Sequence, residues 1–353
     1  MCVDFYERYK QNHNGSEPDI SDFGNSRQKV VERVIKYMDA PLQDMIKFLC
    51  ALNYWTDEIA YELGRIALPN FSTTLYNQVQ NFSFIQPDSL QVEDFNTDIL
   101  VFDKTVYNIL FAESDPMILK DIVEGEKKYF AEKFKDVKDI DGEYIFHVKF
   151  CANLFVRLIE NSNELRKVFD EVDFSPLLDW AKFDVADDVI KLFLEKTATL
   201  DNDDGVNLAY FEYKLAQVKR AQGLFQDALK LNRSSLNTFL AKKDFKDIDV
   251  INAKQDLALT LNVTGNYDEA LTLQNEVLEL KKEILGEKHP DTIAAMSNLA
   301  RILHDSENIF DSILLNADVM ALSIEVFGEK HPDTLSAMNS MADVCWEFET
   351  YAE

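Results

Sequence analysis

A period of 42 residues constrains this chain more than any other feature. GEKHPDTIAAMSNLA, from Gly286 to Ala300, returns as GEKHPDTLSAMNSMA, from Gly328 to Ala342. A fixed period of this size means stacked units, each burying its apolar face against the next. The register extends both ways. Leu299-Ala300 answers to Leu257-Ala258 and Leu215-Ala216 behind it and to Met341-Ala342 ahead. Gly265 answers to Gly223, and Ala270 to Ala228 and Ala186. Tyr267 answers to Phe225, Phe183 and Tyr351, with Ile309 in that place in between. Apolar residues recur at helical spacing from Ala253 to Val263 and from Ala270 to Ile284, so each unit reads as two helices. The expected pairs are 206–242, 250–285 and 291–327. Gly265 breaks the first helix of its unit. Gly286 follows Lys281 and Lys282 where a left-handed C-cap is wanted, and Pro290 with Asp291 opens the next helix.

Small and aromatic positions spaced this way resemble tetratricopeptide repeats, and the 42-residue unit with GEKHPDT resembles the kinesin-light-chain type. The resemblance is strong over 206–353 and weaker over 175–205. It implies an all-α fold, a right-handed superhelix or α-solenoid. Leu257, Ala258, Leu261 and Ala270 then pack helix on helix. It also implies that the first helix of each unit lines a concave groove that binds protein. Groove positions fall five and two before the signature leucine and two, five and six after it. They are Tyr210, Tyr213, Gln217, Arg220 and Ala221, then Asn252, Gln255, Leu259, Asn262 and Val263. The fourth unit gives Ala294, Ser297, Arg301, His304 and Asp305, and the last gives Ser336, Asn339, Asp343, Trp346 and Glu347. Amides, Tyr, Arg and Trp on a non-core face suit an extended peptide or a partner helix.

Composition narrows the partner. Among 353 residues the formal net charge is −27, which opposes nucleic acid, because phosphate binding needs clustered Lys and Arg. A protein or peptide is the expected partner, and the acidity allows a basic one. Cys2, Cys50, Cys151 and Cys345 lie far apart with no metal spacing and read as free thiols of a reducing, cytoplasmic compartment. The first residues are too polar for a signal peptide. No apolar run approaches the roughly 20 residues of a membrane span.

The N-terminal half is not periodic. Residues 1–26 are polar. From Arg27 come the amphipathic stretches RQKVVERVIKYM, PLQDMIKFLCALNYW, TDEIAYELGRI and STTLYNQVQNF. Two apolar segments, SFIQ and DILVFD, then flank a polar loop from Pro87 to Asp98 and are expected to pair as a β-hairpin within 82–103. Helices followed by a hairpin make a winged-helix pattern over 27–110. Residues 111–174 form a helical linker region, with GEYIFHVKFCANLFVRLIENSNELRKVF as one long apolar helical stretch, and the solenoid occupies 175–353. Within it, Asp173 to Leu200 reads as a degenerate first unit. His147 reads as a core or boundary histidine. This order of parts, with CALNYWTDEIAYEL, resembles the region that follows the nucleotide-binding core in STAND-type signalling NTPases. There a winged helix precedes helical linkers and sensor repeats. The family's His-Asp after the second hairpin strand has its His on bound ADP. Here Asp103 is kept and Phe102 stands at the His position, against nucleotide sensing.

No catalytic motif is present. GxxxxGK[ST], GxGxxG and GxSxG are absent, and the chain reads as a non-enzyme with no cofactor. DIDGEY and DNDDGVNLAYFEY are not EF-hand loops, since Val137 and Val148, or Leu200 and Phe211, would fill the first and twelfth positions; both read as turns. His289 and His331 occupy corresponding turns and read as structural rather than as metal ligands. The expected function is a protein-interaction module, the regulatory and sensor part of a STAND-type signalling or defence protein. The alternatives are a free-standing kinesin-light-chain-like adaptor and, disfavoured by charge, a winged-helix nucleic-acid binder.

The sequence ends in phase just before the Ala that would open another second helix, with Tyr351 and Glu353 in the register of Tyr267 and Glu269. The final first helix, roughly Asp333 to Phe348, is therefore expected without a cap. Met338, Met341, Val344, Cys345 and Phe348 would keep part of their apolar surface in water. The expectation is a fragment of a longer solenoid, or self-association through that end.

Overall fold

The computed structural model describes residues 38–92, 95–111, 116–135, 140–172, 174, 176–200, 205–244 and 246–352, with residues 10, 31, 32, 35 and 36. The polar segment 1–26 and most of the helix expected over 27–38 lie outside them, as does the start of DNDDG. Two compact units meet at Val185 and Ala186.

The first unit is built on an aromatic core. Helix α1 (Ala40–Leu52) starts where Asp39 accepts from the Leu42 amide and Pro41 supplies a preset φ. Strand β1 (Tyr54–Trp55) follows, then α2 (Asp57–Ala67) capped by Thr56, and α3 (Thr73–Gln80) capped by Ser72. Strands β2 (Ile85–Val92) and β3 (Phe95–Phe102) form the hairpin, paired from Ile85 with Phe102 to Val92 with Phe95. The sheet is antiparallel in the order β1-β3-β2. The segment expected as a loop from Pro87 to Asp98 is therefore mostly strand. Its polar residues mislead because β2 is an edge, where Pro lacks no needed donor and outward side chains meet water. The Trp55 indole N–H donates to the Tyr76 hydroxyl at 3.1 Å, and that hydroxyl donates to Asp57 at 2.7 Å. Phe102 packs on Trp55 and Phe84, with ring centroids 5.3 and 6.1 Å apart.

Helices α4 (Lys104–Phe111), α5 (Pro116–Lys133) and α6 (Gly142–Leu158) follow. Asp141 caps α6, so DIDG is a helix start rather than a free turn. Gly142 is required there: a Cβ would lie 2.4 Å from that of Phe95 and 2.8 Å from the Val92 carbonyl oxygen. The long helical stretch expected through 143–169 breaks in two. Ile159 is extended, and the Asn161 side chain accepts from the amides of Asn163 and Glu164, starting α7 (Ser162–Val172) afresh. Helix α8 is a single turn, Pro176–Asp179, so the degenerate first unit has a truncated first helix.

The second unit begins within α9 (Phe183–Ala198) and continues with the pairs α10 (Val206–Ala221) with α11 (Phe225–Lys242), α12 (Ile248–Val263) with α13 (Tyr267–Leu285), and α14 (Pro290–Asp305) with α15 (Ile309–Phe327). Helix α16 (Pro332–Ala352) closes the described chain. This is the expected all-α solenoid. Ala216, Ala228, Ala258, Ala270 and Ala300 are each fully buried, because helices of one pair approach closely at these positions. Gly223 and Gly265 hold φ near +78° in the turns within pairs. Gly286 and Gly328 end α13 and α15 with φ 91° and 89° but ψ 161°. Both glycines keep the positive φ that the expected C-cap needs, with ψ far from that of the left-handed helix, a combination open essentially to glycine alone. His289 and His331 cap the helices that follow, each ring Nδ1 accepting the amide two residues on.

Candidate protein-binding face

The first helices of successive pairs, α10, α12 and α14, touch one another directly, so they form the inner wall of the stack. The wall is laced by a polar ladder. The position five after the signature leucine carries Arg220, Asn262 and His304. Arg220 pairs with Asp256 at 2.7 Å, Asn262 donates to Asp305 at 2.5 Å, and His304 bonds Glu347. Each link reaches the first helix of the next unit. Asp256 is 3% exposed. Burial pushes its carboxyl above the usual range while Arg220 pulls it back. Burial also lowers the His304 pKa, but hydrogen bonds to Glu347 and Asp305 outweigh it and the net shift is upward.

The expected groove residues thus divide into three sets. Arg220, Asn262 and His304 are spent on the ladder. Tyr210 is buried, Tyr213 and Gln217 bond each other at 2.8 Å, and the Lys214 ammonium lies over both tyrosine rings at 5.3 and 5.6 Å. Gln255 turns toward its own pair and accepts from Lys281 at 2.9 Å; that ammonium is 4% exposed and its pKa is depressed by burial. The third set faces outward. Ser297 and Arg301 are exposed by surface area, although partial burial of the guanidinium lowers its pKa; its one hydrogen bond among the described residues is to Asn298 at 3.4 Å. Asn339 and Asp343 are exposed, Asn252 is half-buried, and Trp346 is 70% exposed. Among the described residues nothing hydrogen-bonds the side chains of Asn252, Asn339, Asp343 or Trp346. A weakly bonded cation, unbonded amides, a carboxylate and an indole on one wall can pair with backbone and side chains of an extended segment.

Several polar groups escaped the sequence reading. Asn232, Gln274 and Asn316 recur every 42 residues and are all buried. Asn232 donates to Thr260 and Gln274 to the Ala295 carbonyl, each tying a second helix to the next unit's first helix. The period itself was the signal for them. Asp256 gave none, since it stands beside the signature leucine rather than at a groove position. The His position of the STAND pattern is also settled locally: Phe102 is 6% exposed inside the aromatic core, and Asp103 caps α4 through the Val106 amide.

Models of the tetratricopeptide repeat match residues 249–309 and 292–333. No curated protein matches the chain. Solved structures similar to it include a kinesin light chain with nearly identical TPR-like repeats from Podosopora anserina. That pair is 17% identical with a TM-score of 0.44, covering 54% of this chain and 85% of that one. BtubC from P. vanneervenii is 14% identical with a TM-score of 0.44, over 63% of this chain and 82% of its own. A STAND protein with a tetratricopeptide repeat sensor from Pyrococcus horikoshii is 12% identical with a TM-score of 0.36, over 96% of this chain and 59% of its own. Residues 249–333 are tetratricopeptide repeats, and the helix pairs around them continue the stack in the same register.

Proposed function

We propose that the inner wall of the solenoid binds an extended segment of a protein partner, and that the chain serves as the regulatory and sensor part of a STAND-type signalling or defence protein. Tetratricopeptide repeats are protein-interaction scaffolds, which supports the first statement. The observation that carries it is the outward set on the first helices, with Arg301 and the 70% exposed Trp346 at groove positions. An exposed indole in a ring of hydrogen-bonding groups is the composition of an interaction hot spot. The second statement is supported by the order helix, short strand, two helices and hairpin before the repeats. A winged-helix reading of residues 27–110 fits that order.

Selection from a displayed peptide library tests the wall. The native chain enriches a defined motif, and Arg301→Glu with Trp346→Ala loses at least about tenfold in affinity for it. Affinity within about twofold of native moves the site elsewhere. Titration with ADP tests the sensor reading: with Phe102 buried, the chain binds no ADP by itself, and tight binding would require another nucleotide site.

A further inference from the structure

Strand β3 is the centre of its sheet, yet β1 covers it for two residues only, Tyr54 against Val101 and Trp55 against Leu100. After Trp55 the chain leaves the sheet to enter α2. Along Asn96 to Ile99, β3 therefore has β2 on one side and, among the described residues, no strand on the other. Every second residue of such a stretch turns its backbone N–H and C=O to the unpaired side. A cleft of about 740 Å³ opens at this place, lined by residues 95–100, by Thr56 to Glu58 and by Glu143, Phe146 and His147.

The chemistry of the cleft is one-sided. Asp57, Glu58, Asp88, Asp98 and Glu143 line it, and among the described residues no Lys or Arg does. Asp57 and Glu58 sit in the first turn of α2 and offset its positive end. Lys133 pairs with Glu58 at 2.7 Å and Glu143 at 2.9 Å. Asp88 and Asp98 are both exposed on the hairpin, and among the described residues neither has a salt-bridge partner. At the back, His147 is 3% exposed and its Nδ1 has no hydrogen-bond partner among the described residues. Burial, with Lys133 nearby, pushes its pKa down to about 3, so the ring is neutral. The carboxylates do not converge: among the described residues no three His, Cys, Asp or Glu side chains could hold a metal ion together. Separated carboxylates beside an open strand edge suit separated positive charges on an extended backbone.

We propose that this cleft binds an extended basic peptide segment, which adds as a short strand to the open edge of β3 and presents Lys or Arg on both faces, toward Asp98 on one and toward Asp88 across the hairpin on the other. This site is independent of the solenoid wall and stands or falls apart from it.

The test uses the full chain and a capped peptide of repeated Lys-Lys-Thr-Thr, which presents lysines on both faces of a strand. Calorimetric titration gives saturable binding with one peptide per chain. Asp88→Lys with Asp98→Lys weakens it at least about tenfold, and both positions are exposed, so the variant folds. The same peptide with alternate backbone amides methylated keeps every charge but cannot complete a strand, and it too binds at least about tenfold more weakly. His147→Phe changes no charge at neutral pH and weakens binding by a smaller factor. Arg301→Glu with Trp346→Ala leaves binding unchanged. Spermine serves as the charge-only probe and binds more weakly than the peptide. Equal binding by the methylated peptide, by spermine or by the hairpin double variant overturns the proposal, as does loss of binding in the solenoid variant.

Discussion

The two units solve the packing problem in opposite ways. The first fills one irregular core with large rings: Trp55, Tyr76, Tyr144, Phe48, Phe146, Phe150 and Phe155 are all essentially inaccessible to water. The second stacks similar units on small residues, the alanines at 216, 228, 258, 270 and 300. A core of interlocked rings is shared by every element around it, so one lesion spreads. A stack of repeats is held by nearest neighbours, so a lesion stays near its unit. Four changes probe that contrast, from the largest effect to the smallest.

Trp55→Ala removes a fully buried ring and the indole donor to Tyr76. It should destabilise the first unit by about 3 to 5 kcal/mol and raise amide exchange across α1 to α7, with the solenoid unaffected. Confinement of the change to β1 and its immediate neighbours would show that this core is not cooperative. Arg220→Met leaves the Asp256 carboxyl buried without its cation. The expected cost is about 3 kcal/mol, with exchange rising in α10 and α12 and not in α15. Ala258→Leu overpacks the contact of α12 with its partner helix and should cost about 1 to 3 kcal/mol, again locally; denaturation curves that shift in both units would contradict the nearest-neighbour account. The smallest effect is on pH. The His304 pKa is raised in the fold above its ordinary 6.5. Its stabilisation is therefore fully present below that value and is lost as pH rises through the folded pKa. The contribution is under about 1 kcal/mol, as befits a partly exposed pair. Protection of α16 should fall between mildly acidic and mildly alkaline solution, and His304→Gln should abolish the dependence.

The same contrast decides what was legible in the sequence. Periodicity exposed the solenoid because each unit repeats one packing solution, so Leu257, Ala258 and Ala270 announce themselves through their counterparts 42 residues away. The histidines capping α14 and α16 were legible for that reason. The first unit repeats nothing. Its edge strand β2 carries Pro87, Asp88, Ser89 and Gln91 and looks like a loop until its pairing with β3 is known. The break at Ile159 is hidden because the polar run Glu160 to Glu164 fits the exposed turn of one continuous helix as well as it fits a junction. The buried pair of Glu126 with Cys151, bonded at 2.8 Å with the carboxyl pKa pushed up to about 8 by burial, joins α5 to α6 across 25 residues and has no local signal. On the wall, spacing placed the first helices but could not say which side chains were spent on neighbours. Arg220 and Arg301 are both groove positions by count, five and two after their signature leucines, yet one is committed to Asp256 and the other is exposed.

The links of Arg220 to Asp256, Asn262 to Asp305 and His304 to Glu347 lie on one side of the stack, each spanning one joint. A chain of joints tied along its inner edge behaves as a row of springs in series. Small tilts at each joint add up over the length, while no single link stretches far. The solenoid can thereby adjust its pitch to a guest of slightly different length by sharing the strain, and tension applied to its ends should release the joints one at a time rather than all at once.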